Sequence, residues 1–539
     1  MKKILSMILA LALCLSLVGC GSAEAAGGAA AVSRSSGTVI AATAAVSEAD
    51  LLAAEAEAEE DVETTVTVTL SDGASKADGV GVTVSGSTVT ITAGGSYRVT
   101  GTLTNGQIVV NAPEEKVVLA LDGASVTCEN SAALYVVKAK KVILSLVSGS
   151  ENSLASTGEY IQTDANTVDA ALFSKDDLTI KGSGALAVSS GTGHGIVSKD
   201  ELKIKSGTIT VTAEKKGMAA NDLVEITGGS ITIASGKHGI HCDEALTISH
   251  GTVNITKSFE GLEAKTMEIS GGEISIAASD DGLNAVDSAS GTEADGWGWG
   301  FGGTGEAQEG VYILISGGKL TVNASGDGID SNGDLTITGG EVYVSGPTSD
   351  GDGALDYAGT GTITGGTIVA AGSSGMAQSL SSDTQGVVLL TLSGTQSAGS
   401  AVTLTDADGA VLASFMPEKA YSSVVISAPG MESGGTYSVA CGSESRSVTL
   451  EGFTYSEGGF GGFGGGMPGG MGGGFDGDRP NGGFDGDRPD GDFSGERPDG
   501  GFSGERPDGT PPSGFDGSKP NGAPPAGFSG GSGGQGQSA

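Results

Sequence analysis

Acidic residues recur around glycines in the second half of the chain, in a pattern that suits the binding of a hard metal cation. The segments "SDDGLNA" (279–285), "SGDGIDSNGD" (325–334) and "SDGDGALD" (349–356) each place Asp or Asn on both sides of a Gly. Carboxylate and amide oxygens are the ligands that Ca²⁺ prefers in proteins. These segments therefore predict a calcium site, provided that the fold brings them together.

The elements that position these residues belong to an internal repeat. Glycines that are followed by an apolar residue begin successive units at Gly195, Gly217, Gly239, Gly261 and Gly282, so the spacings are 22, 22, 22 and 21 residues. A fixed period of this length is typical of solenoid proteins, in which each unit stacks on the one before it. The acidic segments are therefore successive copies of one structural position.

Each repeat unit consists of short β-strands joined by a glycine corner. Residues 224–226 and 231–233 alternate apolar and polar side chains, which predicts strands, and Gly228 and Gly229 lie between them. A tight corner there needs a positive φ, which Gly adopts at little cost. Two or three strands per coil without a helix predict an all-β fold. We expect a right-handed parallel β-helix, a single-stranded solenoid whose coils lie ~4.8 Å apart.

Stacking converts the columns of the repeat into ladders of side chains. One column must point inward and is apolar: Ile196, Met218, Ile240, Leu262, Leu283, Ile329. A second inward column is small: Ser198, Ala220, Cys242, Ala264, Ala285, Ser331. The residue between these two columns points outward: Val197, Ala219, His241, Glu263, Asn284, Asp330 and, after one inserted residue, Asp356. The residue before the glycine forms another outward column: His194, Lys216, His238, Glu260, Asp281, Asp327, Asp352.

The later coils would therefore stack carboxylates on one side. Two unit charges ~4.8 Å apart repel each other by ~3.5 kcal/mol at an effective dielectric constant of ~20. A protein of ordinary stability tolerates several such pairs between Glu260 and Asp356 only with a counterion or with raised carboxylate pKa values. The alternative is a solvated acidic face that keeps the solenoid soluble. We favour calcium as the cofactor, since neighbouring coils could share one ion.

Three histidines fall in the same two outward columns. His194, His238 and His241 include the pair in "KHGIHCD" (237–243), which suggests zinc. However, Lys216 interrupts the column between His194 and His238, and the spacing specifies no third ligand. We therefore predict exposed ladder histidines without a metal role.

A Gly-rich insertion at 288–310 interrupts the coil that begins at Gly282. It contains Trp297, Trp299 and Phe301, and its two tryptophans are the only ones in the chain. The aromatic rings could pack back onto the solenoid, or they could form a carbohydrate-binding platform, since flat apolar rings with a polar edge suit the faces of sugars. The sequence leaves both interpretations open.

The N-terminus predicts export and a lipid anchor. Lys2 and Lys3 precede an apolar run that ends in Leu17-Val18-Gly19-Cys20 and resembles the lipobox of a bacterial lipoprotein. The run is too short to span a membrane. We expect residues 1–20 to be a lipoprotein signal peptide and Cys20 to be lipid-modified. The protein would then be a cell-membrane lipoprotein that faces the extracellular side and contacts the membrane only through its lipid.

Composition divides the rest of the chain. Residues 21–65, rich in Ala, Gly, Ser and Glu, predict a flexible linker, and 66–373 the parallel β-helix. Strand patterns at hairpin spacing predict a small antiparallel β domain at 374–455. Residues 456–539 predict a disordered Gly/Pro/Asp-rich tail, because its nonapeptides contain Pro and lack the aliphatic residue that a calcium-binding β-roll needs.

Charge and cysteine usage restrict the partners. The net charge of −38 and the pI near 4.2 argue against nucleic acid and anionic lipid headgroups. Cys128, Cys242 and Cys441 are too widely spaced for a disulfide framework, so we predict buried thiols. We expect a monomer.

Several segments resemble a family of secreted bacterial carbohydrate-binding proteins. They include "ITAGGSYRVTGTLTNGQIVVNAPEEKVVLALDGASV", "DGIDSNGDLTITGG", "GPTSDGDGALDYAGTGTITGGTIVAAGSSGMAQ" and "TQGVVLL", within a similarity over residues 66–450. The resemblance implies a pectate-lyase-like right-handed β-helix with bound calcium and a plant cell-wall polysaccharide, including acidic ones, as partner. The calcium positions that it implies are Asp280, Asp281, Asn284, Asp327, Asp330, Asp350, Asp352 and Asp356. Lysines and His238 replace acids in the coils at 195–245, which departs from the pattern.

The residues argue for binding rather than turnover. A pectate lyase uses calcium to acidify a proton beside a uronate carboxylate and a basic residue, usually Arg, to remove it. No Arg lies between Arg98 and Arg446, and Lys319 is the one Lys past Lys265 in the acidic coils. The Arg-x-Lys of a polygalacturonase-like hydrolase is also missing. A calcium-dependent lyase or hydrolase, or a non-catalytic surface stalk, remains the alternative.

Overall fold

The computed structural model describes residues 66–287 and 307–458, and these ranges are all-β without a helix. Accordingly, no helix among the described residues is long and apolar enough to cross a membrane. Cys20, Trp297, Trp299, Phe301, the predicted linker and most of the predicted tail lie outside the described residues.

The first ten strands build the least regular coils. They are β1 (Val66–Leu70), β2 (Lys76–Ala77), β3 (Val82–Ser85), β4 (Thr88–Ile91), β5 (Gly95–Leu103), β6 (Gln107–Asn111), β7 (Lys116–Cys128), β8 (Leu134–Lys138), β9 (Lys141–Leu146) and β10 (Glu151–Ser156). Strands β3 and β4 form an antiparallel hairpin, and β1 pairs antiparallel with β2. The pairings β4–β6, β5–β7 and β7–β9 are parallel, so the solenoid stacking begins here.

The regular coils have three strands each, except the last of them, in which β20 (Ile240–Ile248) occupies the first two positions. They comprise β11 (Ala170–Ser174), β12 (Leu178–Gly182), β13 (Ala185–Ser190), β14 (His194–Ser198), β15 (Glu201–Ile204), β16 (Thr208–Ala213), β17 (Met218–Ala220), β18 (Leu223–Ile226), β19 (Ser230–Ser235), β20 (Ile240–Ile248) and β21 (Thr252–Ser258). Every third strand pairs in parallel, as in β11–β14–β17, β12–β15–β18 and β13–β16–β19. We call these the first, second and third stacks. This pairing establishes a parallel solenoid.

The later coils continue the three stacks with two long strands that run through the corners. The strands are β22 (Leu262–Ala278), β23 (Leu283–Ala285), β24 (Tyr312–Ala324), β25 (Ile329–Ser331), β26 (Asp334–Ile337), β27 (Glu341–Ser345), β28 (Leu355–Tyr357), β29 (Gly361–Ile363) and β30 (Thr367–Gly372). The first stack runs through the start of β22 to β23, β25 and β28. The pairings fix the register, and the right hand of the solenoid stays a prediction.

The second Gly of each Gly-Gly corner has the positive φ that the sequence predicted. The values are 91° at Gly229, 84° at Gly272 and 77° at Gly318. An L-residue with a side chain pays a steric penalty in this region, whereas Gly does not. The corners between the second and third stacks therefore recur at the same place in successive coils.

The core is a continuous column of apolar side chains along the solenoid. Both predicted inward columns are buried, including Ile240 and Leu262 at 0% exposure. Cys128, Cys242 and Cys441 are free and buried, which confirms the predicted thiols. Burial of apolar surface in stacked coils is the main stabilising term for such a fold.

Seven strands follow the last coil, of which the first six have antiparallel partners and the last pairs in parallel. They are β31 (Val387–Gln396), β32 (Val402–Thr405), β33 (Val411–Phe415), β34 (Tyr421–Ser427), β35 (Thr436–Cys441), β36 (Glu444–Thr449) and β37 (Thr454–Glu457). Strand β34 pairs antiparallel with β30 and β31, while β33, β32, β35 and β36 form a second, antiparallel sheet. A separate apolar cluster packs around this part. The open end of the solenoid is thereby covered.

Candidate functional site

The first stack presents one outward side chain per coil. Its strands are as short as three residues, with the first and third side chains buried, as in β23 and β25. The register pairs Ala219 with His241, His241 with Glu263, and Glu263 with Asn284. It continues from Asn284 to Asp330 and from Asp330 to Asp356. The predicted outward column is confirmed, and we call it the strand column.

The second outward column, here called the turn column, is formed by the residue that precedes the anchoring glycine in each coil. Its backbone carbonyls accept hydrogen bonds from the anchoring glycines of the preceding coil, as in Gly239 to Glu260, Gly261 to Asp281 and Gly282 to Asp327. The next carbonyl in this series belongs to Gly353, because Gly328 N donates to Gly353 O at 3.0 Å. The prediction that Asp352 occupies this position is wrong by one residue.

The shift at Asp352 follows from one inserted residue, which the packing of the last coil accommodates. At the anchoring glycines a Cβ would meet a third-stack side chain, for example Val344 Cγ1 at 2.4 Å from Gly328. In the last coil Ala354 takes the glycine's place, and the register pairs Val344 with the smaller Ala370. Ala370 lacks the γ-methyl groups of Val344, which leaves room for the Ala354 side chain. Asp352 therefore precedes the column, although its charge, after the larger effect of burial, still raises the pKa of Asp280.

The N-terminal part of the strand column is not a charged surface. Tyr135, Phe173, Val197 and Ala219 form a buried apolar cluster together with residues of the segment before β11. The rings of Tyr135 and Phe173 pack edge to face with centroids 5.8 Å apart. This part of the face is covered, so the polar site begins at His241.

The acidic coils gather their carboxylates in a partly buried cluster. Burial first, and then the charges of Asp327, Asp330, Asp280 and Glu260, raise the pKa of Asp281 to about 9. Burial and neighbouring carboxylates, partly offset by a hydrogen bond from Gly353 N, raise the pKa of Asp327 to about 7. Burial is also the main reason why the pKa of Asp330 is raised well above its ordinary value. The repulsion that the sequence predicted is present.

Backbone donors orient two of these carboxylates. Asp281 Oδ1 accepts a hydrogen bond from Asp327 N at 2.7 Å, and Asp327 Oδ1 accepts one from Gly353 N at 2.5 Å. A Cβ on Gly326 would lie 2.4 Å from Asp281 Oδ1 and 2.6 Å from Asp280 Oδ1. The glycine therefore leaves the space in which both carboxylates converge.

The cluster contains an oxygen without a partner. Asn284 Oδ1 is buried from solvent and makes no hydrogen bond among the described residues, whereas Asn284 Nδ2 donates to Glu260 Oε2 at 3.4 Å. Ligand oxygens of Glu260, Asp280 and Asp281 lie within 4.8 Å of one another. An all-oxygen donor set with an unsatisfied amide carbonyl fits calcium rather than a softer metal.

Asp350 and Asp356 lie at the edge of this cluster. Asp356 continues the strand column, and its Oδ1 accepts a hydrogen bond from Gln378 Nε2 at 2.6 Å. Asp350 is exposed and accepts a hydrogen bond from Ser373 Oγ. Asp352 likewise accepts a hydrogen bond from Ser349 Oγ at 2.8 Å, so these three predicted calcium positions each have a side-chain donor from outside the two columns.

The histidines are not exposed, which corrects the prediction. His241 is 4% exposed, and His238 and His194 are mostly buried. His194 Nδ1 accepts a hydrogen bond from Lys216 N at 3.1 Å, and burial lowers its pKa to about 3. His238 and His241 both contact Glu263, which the sequence placed in the column but did not single out. The column alignment was the signal that could have identified it.

Comparison with known proteins gives a family match over the middle of the chain. Residues 85–353 match the family model described as carbohydrate-binding domain-containing protein. This segment of the chain belongs to the carbohydrate-binding domain family. The family match includes both outward columns except Asp356 and ends before the antiparallel strands.

One relative and one solved structure accompany the family match. A carbohydrate-binding domain-containing protein of Acetivibrio thermocellus is 41% identical over 128 residues, which are 23% of this chain and 45% of that relative. The chain thus spans less than half of the relative's length. The structure of the polysaccharide lyase-like protein from C. thermocellum, a gadolinium derivative, shares 29% identity over 51% of this chain and 91% of that protein. Its TM-score of 0.35 is too low to support an argument about the fold.

Proposed function

We propose that this chain is a calcium-dependent polysaccharide-binding protein that does not turn its ligand over. The observation that carries the proposal is the cluster of partly buried carboxylates with raised pKa values around Asp281, Asp327 and Asp330. Membership of the carbohydrate-binding domain family supports the ligand class. We also propose a right-handed β-helix, in keeping with the hand of parallel crossovers.

Calcium would be held by carboxylate oxygens of Asp281, Asp327 and Asp330 and by Asn284 Oδ1, with Asp280 and Asp356 at the edges. A bound cation would offset the repulsion among them and present positive charge to the carboxylates of an acidic polysaccharide. The chain's own net charge of −38 would otherwise repel such a ligand.

The ends of the aromatic insertion lie beside the acidic cluster. The described chain breaks off at Asp287, two residues after β23, which carries Asn284. Where it resumes, Gln308 Oε1 accepts a hydrogen bond from Asp287 N at 2.9 Å. We propose that Trp297, Trp299 and Phe301 contact sugar rings next to the calcium site.

Phe259 offers a second aromatic contact that the sequence interpretation missed. Its side chain is 48% exposed, and it immediately precedes Glu260 in the turn column. Phe259 O accepts a hydrogen bond from Asp280 N at 2.9 Å, so this residue lies one coil from the acidic cluster. An exposed ring in this place suits stacking against a sugar.

The placement of Lys319 supports binding over a lyase reaction. Lys319 lies in the third stack, between Glu273 and Glu341, whereas the acidic columns lie in and before the first stack. A base for proton abstraction must come within hydrogen-bonding reach of the substrate's proton. A calcium-dependent lyase or hydrolase remains the second candidate, and its products decide between the two.

Sedimentation or calorimetry with polygalacturonate tests the proposal. We expect binding in calcium, loss of binding in EDTA, and weaker binding to polygalacturonate and neutral glucans in Phe259→Ala and in the double variant Trp297→Ala, Trp299→Ala. Val411→Ala, at a side chain that is 60% exposed on the antiparallel strands, is the matched control. Unsaturated uronate products or new reducing ends that accumulate with time would favour the enzyme. Binding to no glycan in calcium would leave a surface stalk.

We further propose that the protein is exported and held at the cell membrane through Cys20. The support is the sequence Leu17-Val18-Gly19-Cys20 after a basic start. A tethered binding domain would keep a polysaccharide close to the cell.

A further inference from the structure

We propose that His238, His241 and Glu263 form a second metal site, for a zinc-like divalent transition-metal ion, beside the acidic cluster. One ligand atom of each residue lies within 4.8 Å of a ligand atom of the other two. Two imidazoles and a carboxylate are a donor set that zinc accepts and that calcium, which prefers oxygen ligands throughout, does not. This site is distinct from the calcium proposal, which concerns the coils that follow.

The fold forces the three side chains together. His241 and Glu263 are register partners in adjacent strands of the strand column, and His238 lies before Gly239 in the turn column. His241 Nδ1 lies 2.6 Å from Glu263 Oε1, and His238 Nδ1 lies 2.9 Å from Glu263 Oε2. The two rings are 5.4 Å apart between centroids. Tetrahedral ligands at bond lengths of ~2.0–2.1 Å are separated by ~3.3 Å, so only a small expansion is needed.

Two buried atoms in this group make no hydrogen bond of acceptable geometry within the part of the chain that the structure describes. They are His241 Nδ1 and Glu263 Oε1, which lie 2.6 Å apart and belong to residues that are each 4% exposed. Unsatisfied polar atoms in a buried place cost free energy. A cation between them would satisfy both atoms at once.

Asp243 supplies the support that metal-bound histidines usually have. Its Oδ1 lies 2.9 Å from His241 Nε2. A carboxylate there favours the tautomer with hydrogen on Nε2, which leaves the lone pair of Nδ1 directed at Glu263 Oε1. Two lone pairs at this separation repel each other unless a proton or a metal ion lies between them.

The surroundings leave a path to solvent and exclude thiol ligands. The side chains of His238 and Glu260 are 14% and 12% exposed, so the site is reached from the outer face. Cys242 follows His241 but points into the core, where it is 1% exposed. Three protein ligands with an approach from solvent are the arrangement of zinc sites that keep an open coordination position.

The competing explanation is that protonated histidines form ion pairs with Glu263 and no metal binds. A measurement of zinc uptake distinguishes this explanation from a metal site. The full-length chain, stripped with chelator and returned to excess calcium so that the acidic cluster is saturated, is titrated with Zn²⁺ by calorimetry. We expect uptake of one zinc ion per chain. In His241→Gln and Glu263→Gln the affinity should fall by about tenfold or more. The matched controls His250→Gln and Glu273→Gln, outside the group, should bind as wild type does.

X-ray absorption on the zinc-loaded wild-type chain keeps the proposal testable if the variants of buried residues do not fold. The chain has 4 His in total, and we expect imidazole nitrogens from two of them around the zinc. His238→Gln, at the least buried ligand, provides a milder variant that should also lower zinc affinity while calcium binding persists. A wild-type chain that takes up no zinc, zinc with oxygen ligands alone, or unchanged affinity in folded variants would overturn the proposal.

Discussion

Replacing Asp281 by Asn should stabilise the protein without calcium and remove most of the stabilisation that calcium provides. The pKa of Asp281 is raised from 3.8 to about 9 by burial and by neighbouring carboxylates, so the folded group holds a proton at pH 7 while the unfolded group does not. Because pH 7 lies about 3 units above the pKa of the unfolded group, this proton uptake costs about 4 kcal/mol of folding free energy at pH 7. Asn is neutral in both states and avoids this cost.

The amide in Asp281→Asn also preserves the local geometry. It would keep an Oδ1 that accepts the hydrogen bond now made by Asp327 N at 2.7 Å. The other carboxylates continue to repel one another, so we expect a net gain of about 2–4 kcal/mol in EDTA. In calcium at about 100 times its dissociation constant, the wild-type chain gains about 2.7 kcal/mol, and the variant gains less because it has lost a charged ligand.

Denaturant unfolding at pH 7, in EDTA and in calcium, measures both effects on the same transition. Asp408→Asn, at an exposed residue of the antiparallel part, makes the same chemical change as a control and should behave as wild type in both buffers. A variant less stable than wild type in EDTA would refute the reasoning from buried charge. A variant with the full calcium response would show that Asp281 is not a ligand.

Three further predictions address the pH response, the packing of the coils and the anchor. In EDTA, Asp327 and Asp281, with pKa values raised to about 7 and about 9, bind more protons when folded, so the unfolding free energy should fall by up to about 1.4 kcal/mol per pH unit for each carboxyl, from about pH 4 to 7 for Asp327 and from about pH 4 to 9 for Asp281. The decline should shrink in calcium, and equal slopes in the two buffers would contradict it. Gly261→Ala should destabilise the chain by at least about 2 kcal/mol, since its Cβ would lie 2.3 Å from Gly282 O and 2.4 Å from Ile276 Cγ2. The control Gly394→Ala, whose Cβ would have no heavy atom within 4 Å, should change the melting temperature little. Equal melting temperatures of the two variants would disprove the clash. Cys20→Ala should move the protein from the detergent phase to the aqueous phase or leave it unprocessed, and a variant that partitions and is processed like wild type would show that Cys20 is not the anchor.

The repeat made much of the fold predictable from sequence. A strand alternates its side chains, and a parallel stack with a constant period places equivalent residues above one another, so the columns from Val197 to Asp356 followed from counting. The glycines of the corners were predictable for the same reason, since a recurrent positive φ demands a recurrent Gly. Counting also showed one inserted residue before Asp356, but not that Ala354 takes the glycine's place, because the room for its side chain depends on Ala370 in another strand.

Sequence by itself determined which residues share a face, and the tertiary structure decided what that face does. The column alignment put His241 beside Glu263, but their burial depends on how completely side chains from other coils exclude water. Likewise, the apolar start of the strand column is covered by the segment before β11, and Phe259 is exposed beside the acidic cluster. Spacing along the chain sets register, whereas desolvation, and with it pKa and metal preference, is a property of the assembled surroundings.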